Sequence, residues 1–248
     1  MDYSGPPQGD VPVPAPIAAF AGGRPVLPVW VNRSGGVTFQ LGQGGGRLFA
    51  KWAPAGSGLD LGAEAARLRW AADFTPVPRV VDHGLEGAGR GEWLVTVGLP
   101  GDSAVSARWR ADPKTTVRAL GKGLRALHDR LPVEDCPFEW SVERRVAEAR
   151  AEGEPVPSMP PPPVDRLVVC HGDACSPNTL LAEDGSWSAH VDLGALGVAD
   201  RWADLAVGAW SVGVNYGSAW EEAYYDAYGI APDPERIAFY RRLGRATR

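Results

Sequence analysis

His171, Asp173, Asn178 and Asp192 are the residues whose types and spacing could do chemistry in this chain. The first three lie in "VVCHGDACSPNTLL" (168–181), a polar stretch between two short apolar runs, and Asp192 ends the run "SAHVD". Apolar runs of this length predict buried strand ends, and a loop held at their tips is a rigid mount for charged groups. Phosphoryl transfer needs a carboxylate beside the attacking hydroxyl, and oxygen ligands that hold Mg²⁺ against the phosphates. Asp173 is the candidate catalytic carboxylate. Asn178, through its amide oxygen, and Asp192, through its carboxylate, are the candidate metal ligands, both suited to a hard cation. A loop capped by its own polar side chains would account for Asp173 or Asn178 taken singly. The ordered set, with Gly194 two residues after Asp192, matches H-x-D-x-x-x-x-N followed by D-x-G, the pattern of kinase catalytic loops.

A phosphate-binding cation should stand upstream of such a loop. Only three lysines occur, Lys51, Lys114 and Lys122, and Lys51 lies inside the apolar stretch "RLFAKWAP". Glu64 falls early in the helix expected next, where it could hold that lysine toward the α- and β-phosphates of a nucleotide. The competing reading of Lys51 is an edge-strand charge that discourages aggregation. "NRSGG" (32–36) precedes the lysine strand; its small residues let backbone amides approach phosphates, and Ser34 could donate a hydrogen bond.

The elements that must position these residues can be read from periodicity and punctuation. Residues 1–25 are rich in proline and glycine and are expected to form a loosely ordered lead-in. Residues 26–97 predict a small sheet with one helix. "GGVTFQLGQGGGRLFAKWAP" alternates about a glycine-rich turn, with Val37, Phe39 and Leu41 facing one way and a partner strand over 47–52. Ser57 and Asp60 mark a helix start before Leu61, Ala65, Leu68 and Ala72, and "PRVVDHG" and "GEWLVTV" predict two more strands. "GLPG" (98–101) is the expected hinge. Residues 102–248 turn mostly helical, with one stripe at Val117, Leu120, Leu124 and Leu127 and a second at Val142, Val146 and Ala149. "EPVPSMPPPPV" (154–164) predicts a stiff connector, "EDGS" (183–186) a hairpin turn, and three helices follow near 201–213, 218–228 and 233–243. The fold class expected is α+β.

Bulk properties narrow the partners. Hydrophobic content of 44% and charged content of 22% over 248 residues are those of an ordinary globular chain with a sizeable core. A net charge of −5 argues against nucleic acid and permits cationic ligands. No run is long enough for a membrane span, and "MDYSGPPQGDVPVPAP" lacks the basic and apolar regions of a signal peptide, so the cytoplasm is the expected location. Cys136, Cys170 and Cys175 have no metal-ligand spacing and are expected as reduced thiols.

"VVCHGDACSPNTLL" with "HVDLGALGVADRWADLA" resembles the aminoglycoside phosphotransferase family, nearest its 3′-phosphotransferases, which inactivate kanamycin- and neomycin-type antibiotics. "LFAKWAP", "GAEAARLRWAA", "PVPRVVDHG", "WLVTVGLPG", "LRALHDRLPVEDCPF" and "IAFYRRL" extend the likeness over nearly the whole chain after about residue 25. The resemblance implies a bilobal, protein-kinase-like fold that uses ATP and Mg²⁺ to phosphorylate an aminoglycoside hydroxyl, the 3′-OH, and so confers resistance. It implies Asp173 as catalytic carboxylate, Asn178 and Asp192 as magnesium ligands, and Lys51 as phosphate-binding lysine oriented by Glu64. It also implies that backbone groups of Val97 and Leu99 meet adenine, that His171 fixes the catalytic loop, and that Asp204 braces it from the helix beneath.

Three departures concern the acceptor. Ala195 stands where the family has an arginine, the region before the catalytic loop shrinks to the proline run, and the chain ends "RRLGRATR" in place of an acidic and aromatic tail. Polycationic antibiotics are held by carboxylates, and a like-charge pair at about 4 Å costs about 4 kcal/mol at an effective dielectric near 20. Arg245 and Arg248 would therefore weaken such binding if the tail lined the pocket. Two alternatives stay open at the level of sequence: a kinase of another small hydroxyl compound, and a nucleotide-binding pseudoenzyme. The intact Lys51, Asp173, Asn178 and Asp192 count against the second.

Overall fold

The alternating segments of residues 26–97 form one antiparallel sheet. In the computed structural model, which describes residues 4–151, 153 and 156–246, the strands are β1 (Val26–Val31), β2 (Val37–Leu41), β3 (Leu48–Pro54), β4 (Val80–Glu86) and β5 (Gly91–Val97). Their order is β1-β2-β3-β5-β4. Phe39 pairs with Ala50 and Ala50 with Val95, so these three fully buried residues lie in a row across one face. Thr38, Lys51 and Leu94 form the neighbouring row and therefore point to the opposite face.

The lead-in is not loose throughout. Ala15–Ala21 form helix α1, whose Ile17 and Ala21 join Phe39, Leu41, Ala50 and Val95 in a buried cluster, with Phe20 packed against it. Proline at the first turn costs a helix nothing, and Ile17, Phe20 and Ala21 recur at three- and four-residue spacing. Burying an isoleucine side chain is worth roughly 1.5–3 kcal/mol, which outweighs the disorder suggested by the surrounding prolines and glycines. Helix α2 (Leu61–Ala71) starts at Asp60, whose carboxylate accepts from the Ala63 N–H at 2.7 Å. Its buried side holds Glu64, Ala65, Leu68 and Ala71, packed toward β3, β4 and β5.

The chain divides into two compact units, one running up to Asp73 and resuming over Val77–Leu99, the other comprising Phe74–Pro76 and the chain from Pro100 onward. The chain crosses between the units after Asp73 and after Pro76, and for the last time between Leu99 and Pro100. In the second unit β6 (Asp102–Ser103) pairs with β8 (Thr179–Leu181), β8 with β9 (Trp187–His190), and β7 (Leu167–Cys170) with β10 (Gly197–Asp200). The helices are α3 (Ala107–Arg110), α4 (Pro113–Arg130), α5 (Val142–Ala151), α6 (Trp202–Tyr216), α7 (Glu221–Tyr228) and α8 (Pro234–Ala246). Asp112 caps α4 by accepting from the Thr115 N–H at 3.2 Å, and Val117, Leu120, Leu124 and Leu127 form its buried stripe. Helix α6 is buried along most of its length and packs on α7 and α8. The described part of the proline connector is clipped to α8, where Arg236 donates to the Pro163 carbonyl at 2.6 Å. Residues 154 and 155 of that connector lie outside the described residues.

Candidate active site

The loop between β7 and β8 is held from beneath by α6. Asp204, fully buried, accepts from the backbone N–H of His171 at 2.5 Å and of Gly172 at 3.1 Å, and bonds His128 Nε2 of α4 at 3.1 Å. Burial pushes the Asp204 carboxyl up, but the His128 hydrogen bond and charge, together with His171, hold it below the usual carboxylate range. The His171 ring is pinned on both sides: Nδ1 accepts from the Asp173 N–H at 3.2 Å, and Nε2 donates to the Val191 carbonyl at 3.0 Å. That pattern places the ring proton on Nε2. Gly172 has φ 88°, and a Cβ there would run into the Ala195 carbonyl, so only glycine fits this turn.

The loop closes on Asp173 from its far end. Asn178 donates Nδ2 both to the Asp173 carbonyl and to its carboxylate, each at 2.9 Å. The Val191 N–H donates to the Asn178 carbonyl at 2.9 Å, so the residue before Asp192 is bonded to both His171 and Asn178. Asp192 is exposed at φ 66°, the one non-glycine with positive φ among the described residues, between buried neighbours at Leu193 and Leu196. Such a backbone costs on the order of 1–3 kcal/mol and persists where the surroundings over-determine it. The donors fit a hard divalent cation: an exposed carboxylate on Asp192, and Oδ1 on Asn178, whose nitrogen is committed to Asp173. His128, Cys170 and Asp204 also place ligand-type atoms within 4.8 Å of one another. There the Asp204 oxygens are already taken by three donors, and burial pushes the Cys170 thiol well up, so this cluster is a hydrogen-bonded core.

In the first unit, Lys51 Nζ donates to both Glu64 oxygens, at 2.7 and 2.9 Å. The Glu64 side chain is 5% exposed and the Lys51 side chain 25%, so a buried carboxylate holds the ammonium of a lysine that is itself only partly exposed. Ser34 sits at the exposed tip of the β1–β2 turn, which Asn32 closes by accepting from the Gly36 N–H at 2.7 Å. The structure thus brings Lys51 to Glu64 and Asp173 to Asn178, and leaves Ser34 apart at its turn.

Val97 donates its N–H to the Arg79 carbonyl at 2.9 Å. Leu99 offers its carbonyl to Arg47 Nη2 at 2.5 Å, and Arg47 in turn accepts from the Gly98 N–H at 2.9 Å and donates to Gly44 at 3.3 Å. The Val97 N–H and the Leu99 carbonyl are thus both engaged within the fold. Arg47 and His128 were not singled out by sequence reasoning. His128 left a trace, a polar residue within the apolar stripe of α4; Arg47, one of many arginines, left none.

A lysine strand, its helix glutamate, a connecting segment and then the aspartate–asparagine loop follow one another in the order of protein-kinase-like phosphotransferases. Residues 32–156 and 156–240 match the Phosphotransferase enzyme family, and the chain belongs to that family. It is 37% identical over 229 residues to the aminoglycoside 3′-phosphotransferase of Streptomyces fradiae, covering 79% of this chain and 84% of that one. The streptomycin 3″-kinase of Streptomyces griseus is 34% identical, with 92% and 94% covered. Among solved structures, an aminoglycoside-3′-phosphotransferase of type VIII superposes with a TM-score of 0.77 at 33% identity, over 93% of this chain and 97% of that one. Aminoglycoside phosphotransferase APH(3″)-Id from Streptomyces rimosus, in complex with ADP and streptomycin, gives 0.71 at 29% identity, over 93% and 95%. No helix among the described residues is long and apolar enough to cross a membrane.

Proposed function

We propose that this protein transfers the γ-phosphate of ATP to a hydroxyl of an aminoglycoside antibiotic, the 3′-hydroxyl of a kanamycin- or neomycin-type compound, and so confers resistance. The observation that carries the reading is the closure of loop 171–178 on Asp173: Asp204 bonds the backbone at its start and Asn178 bonds both the carbonyl and the carboxylate of Asp173. A carboxylate fixed this way can orient the acceptor hydroxyl and take its proton as the oxygen attacks phosphorus. Asp192 and Asn178 Oδ1 are the ligands for Mg²⁺. The ion, when bound, offsets the negative charge of the β- and γ-phosphates. Lys51, steadied by Glu64, pairs with the α- and β-phosphates, and the Ser34 turn lends its hydroxyl and amides to the triphosphate. Adenine is read by the Val97 carbonyl and the Leu99 N–H, an acceptor and a donor two residues apart.

The test is a turnover screen of the purified protein with ATP and Mg²⁺ against kanamycin- and neomycin-type aminoglycosides, streptomycin and unrelated small alcohols, with NMR of the product. Asp173→Asn should still bind nucleotide while turnover falls about 10²–10⁴-fold. Phosphate on an unrelated alcohol and on no aminoglycoside would move the acceptor assignment elsewhere. Near-normal turnover of a folded Asp173→Asn protein would remove Asp173 from the chemistry.

A further inference from the structure

Helix α6 meets the catalytic loop at more than one place. Asp204, Gly208, Ser211 and Asn215 recur along it at three- and four-residue intervals and so share one face. Asp204 takes the start of the loop, at His171 and Gly172. Two turns further on, Ser211 Oγ accepts from the Ser176 N–H at 2.9 Å and donates to Ser176 Oγ at 3.1 Å. Asn215, one turn beyond, donates Nδ2 to the Ser211 carbonyl at 2.8 Å and to Ser211 Oγ at 3.3 Å, while Arg110 of α3 donates to Asn215 Oδ1 at 3.2 Å. These contacts use the one proton and both lone pairs of the Ser211 hydroxyl. Ser211 and Ser176 are 2% and 1% exposed, so bulk water does not stand in for either partner. Between the two attachment points, a Cβ on Gly208 would collide with the Tyr224 hydroxyl and come within 3.3 Å of the Ala174 carbonyl. The helix thus meets the loop at His171, Gly172, Ala174 and Ser176.

We propose that Ser211 is a positioning residue for Asp173: it fixes the second half of the catalytic loop as Asp204 fixes the first, and Asn215 and Arg110 hold its hydroxyl in place. The inference rests on the reading of Asp173 as the catalytic carboxylate. Asp173 lies between the two attachments, so its carboxylate is set by both, and a displacement of about 1 Å from the reacting geometry can cost about 10²-fold in rate.

Steady-state kinetics of the full chain test it, with an active aminoglycoside, ATP and Mg²⁺, on Ser211→Ala, Asn215→Ala, the double variant and Asp173→Asn. Ser211→Ala leaves the buried Ser176 N–H without its acceptor, and kcat should fall about 5- to 50-fold. KM for ATP should stay within about twofold, because Ser211 is buried and bonds Ser176 and Asn215, neither of which is assigned to the nucleotide. Asn215→Ala should lower kcat by a smaller factor, about 2- to 5-fold. The double variant should be no slower than Ser211→Ala, since Asn215 acts through Ser211. If Ser211→Ala does not fold, Asn215→Ala and Arg110→Ala carry the test by the same loss of kcat at unchanged KM. Wild-type kcat in folded Ser211→Ala, with Asp173→Asn inactive, overturns the inference; multiplicative losses in the double variant overturn the role given to Asn215. Normal turnover of Asp173→Asn removes the catalytic reading, and the positioning role with it.

Discussion

Replacing Asp204 with asparagine should separate what this carboxylate does for stability from what the loop does for rate. Its Oδ2 takes the His171 N–H at 2.5 Å and His128 Nε2 at 3.1 Å, and its Oδ1 takes the Gly172 N–H at 3.1 Å. Asparagine has one oxygen. Its best placement keeps that oxygen at the Oδ2 position and turns its NH₂ toward the Gly172 N–H, donor against donor. A buried amide left unsatisfied costs roughly 1–3 kcal/mol, and two bonds that lose their charge assistance weaken by roughly 1 kcal/mol each. Relief of the desolvation cost of a buried charge offsets part of this. The net loss is then about 2–4 kcal/mol, a large share of the roughly 5–15 kcal/mol that holds a domain folded. For a chain of this size the melting temperature should drop by about 5–15 °C.

The pH dependence carries a sign. The Asp204 carboxyl is held below its ordinary value of 3.8 in the folded protein, so its contribution is fully present above that value and is lost as pH falls through the folded one. The gap between wild type and Asp204→Asn should therefore be steady above about pH 5 with respect to this group and narrow only below about pH 4. Thermal and urea melts across that range, with kcat measured at neutral pH, provide the check. A variant that melts within about 1 °C of wild type and turns over normally would refute this role for Asp204 in satisfying the His171, Gly172 and His128 donors.

Two further outcomes follow from the geometry. Arg47→Ala removes the side-chain bond that holds the Leu99 carbonyl and so loosens the residue whose N–H is proposed to meet adenine; KM for ATP should rise about 2- to 10-fold with kcat and the acceptor KM little changed, and an unchanged ATP KM would show that Arg47 does not position Leu99 for the nucleotide. Cys170 is fully buried with its thiol pushed well up, whereas Cys136 and Cys175 are half-buried, so a thiol reagent followed by peptide mapping should modify Cys136 and Cys175 in the folded protein and reach Cys170 only after unfolding.

Sequence by itself determined the parts of this protein whose partners are near in the chain. Asn178 reaches Asp173 across five residues, and Lys51 reaches Glu64 across thirteen, on a strand and a helix that each declare themselves by period. Turn chemistry and alternation marked β2, β3, β4 and β5 for the same reason: strand pleat and hairpin closure are local properties. The lead-in departs from what its composition suggests because Ile17, Phe20 and Ala21 of a seven-residue helix decide the outcome, and they acquire meaning only against the sheet face that buries them. The tail residue Arg248 and the side chain of Arg245 lie outside the described residues. The supports of the site were decided by tertiary structure alone. Ser211 and Ser176 are 35 residues apart, Arg47 and Leu99 are 52, and His128 and Asp204 are 76. A serine among many serines, or an arginine among many arginines, carries no sign of which buried amide or carbonyl it will meet. That assignment follows from how helices pack, because a buried polar group takes whichever partner the packed backbone places within reach of it.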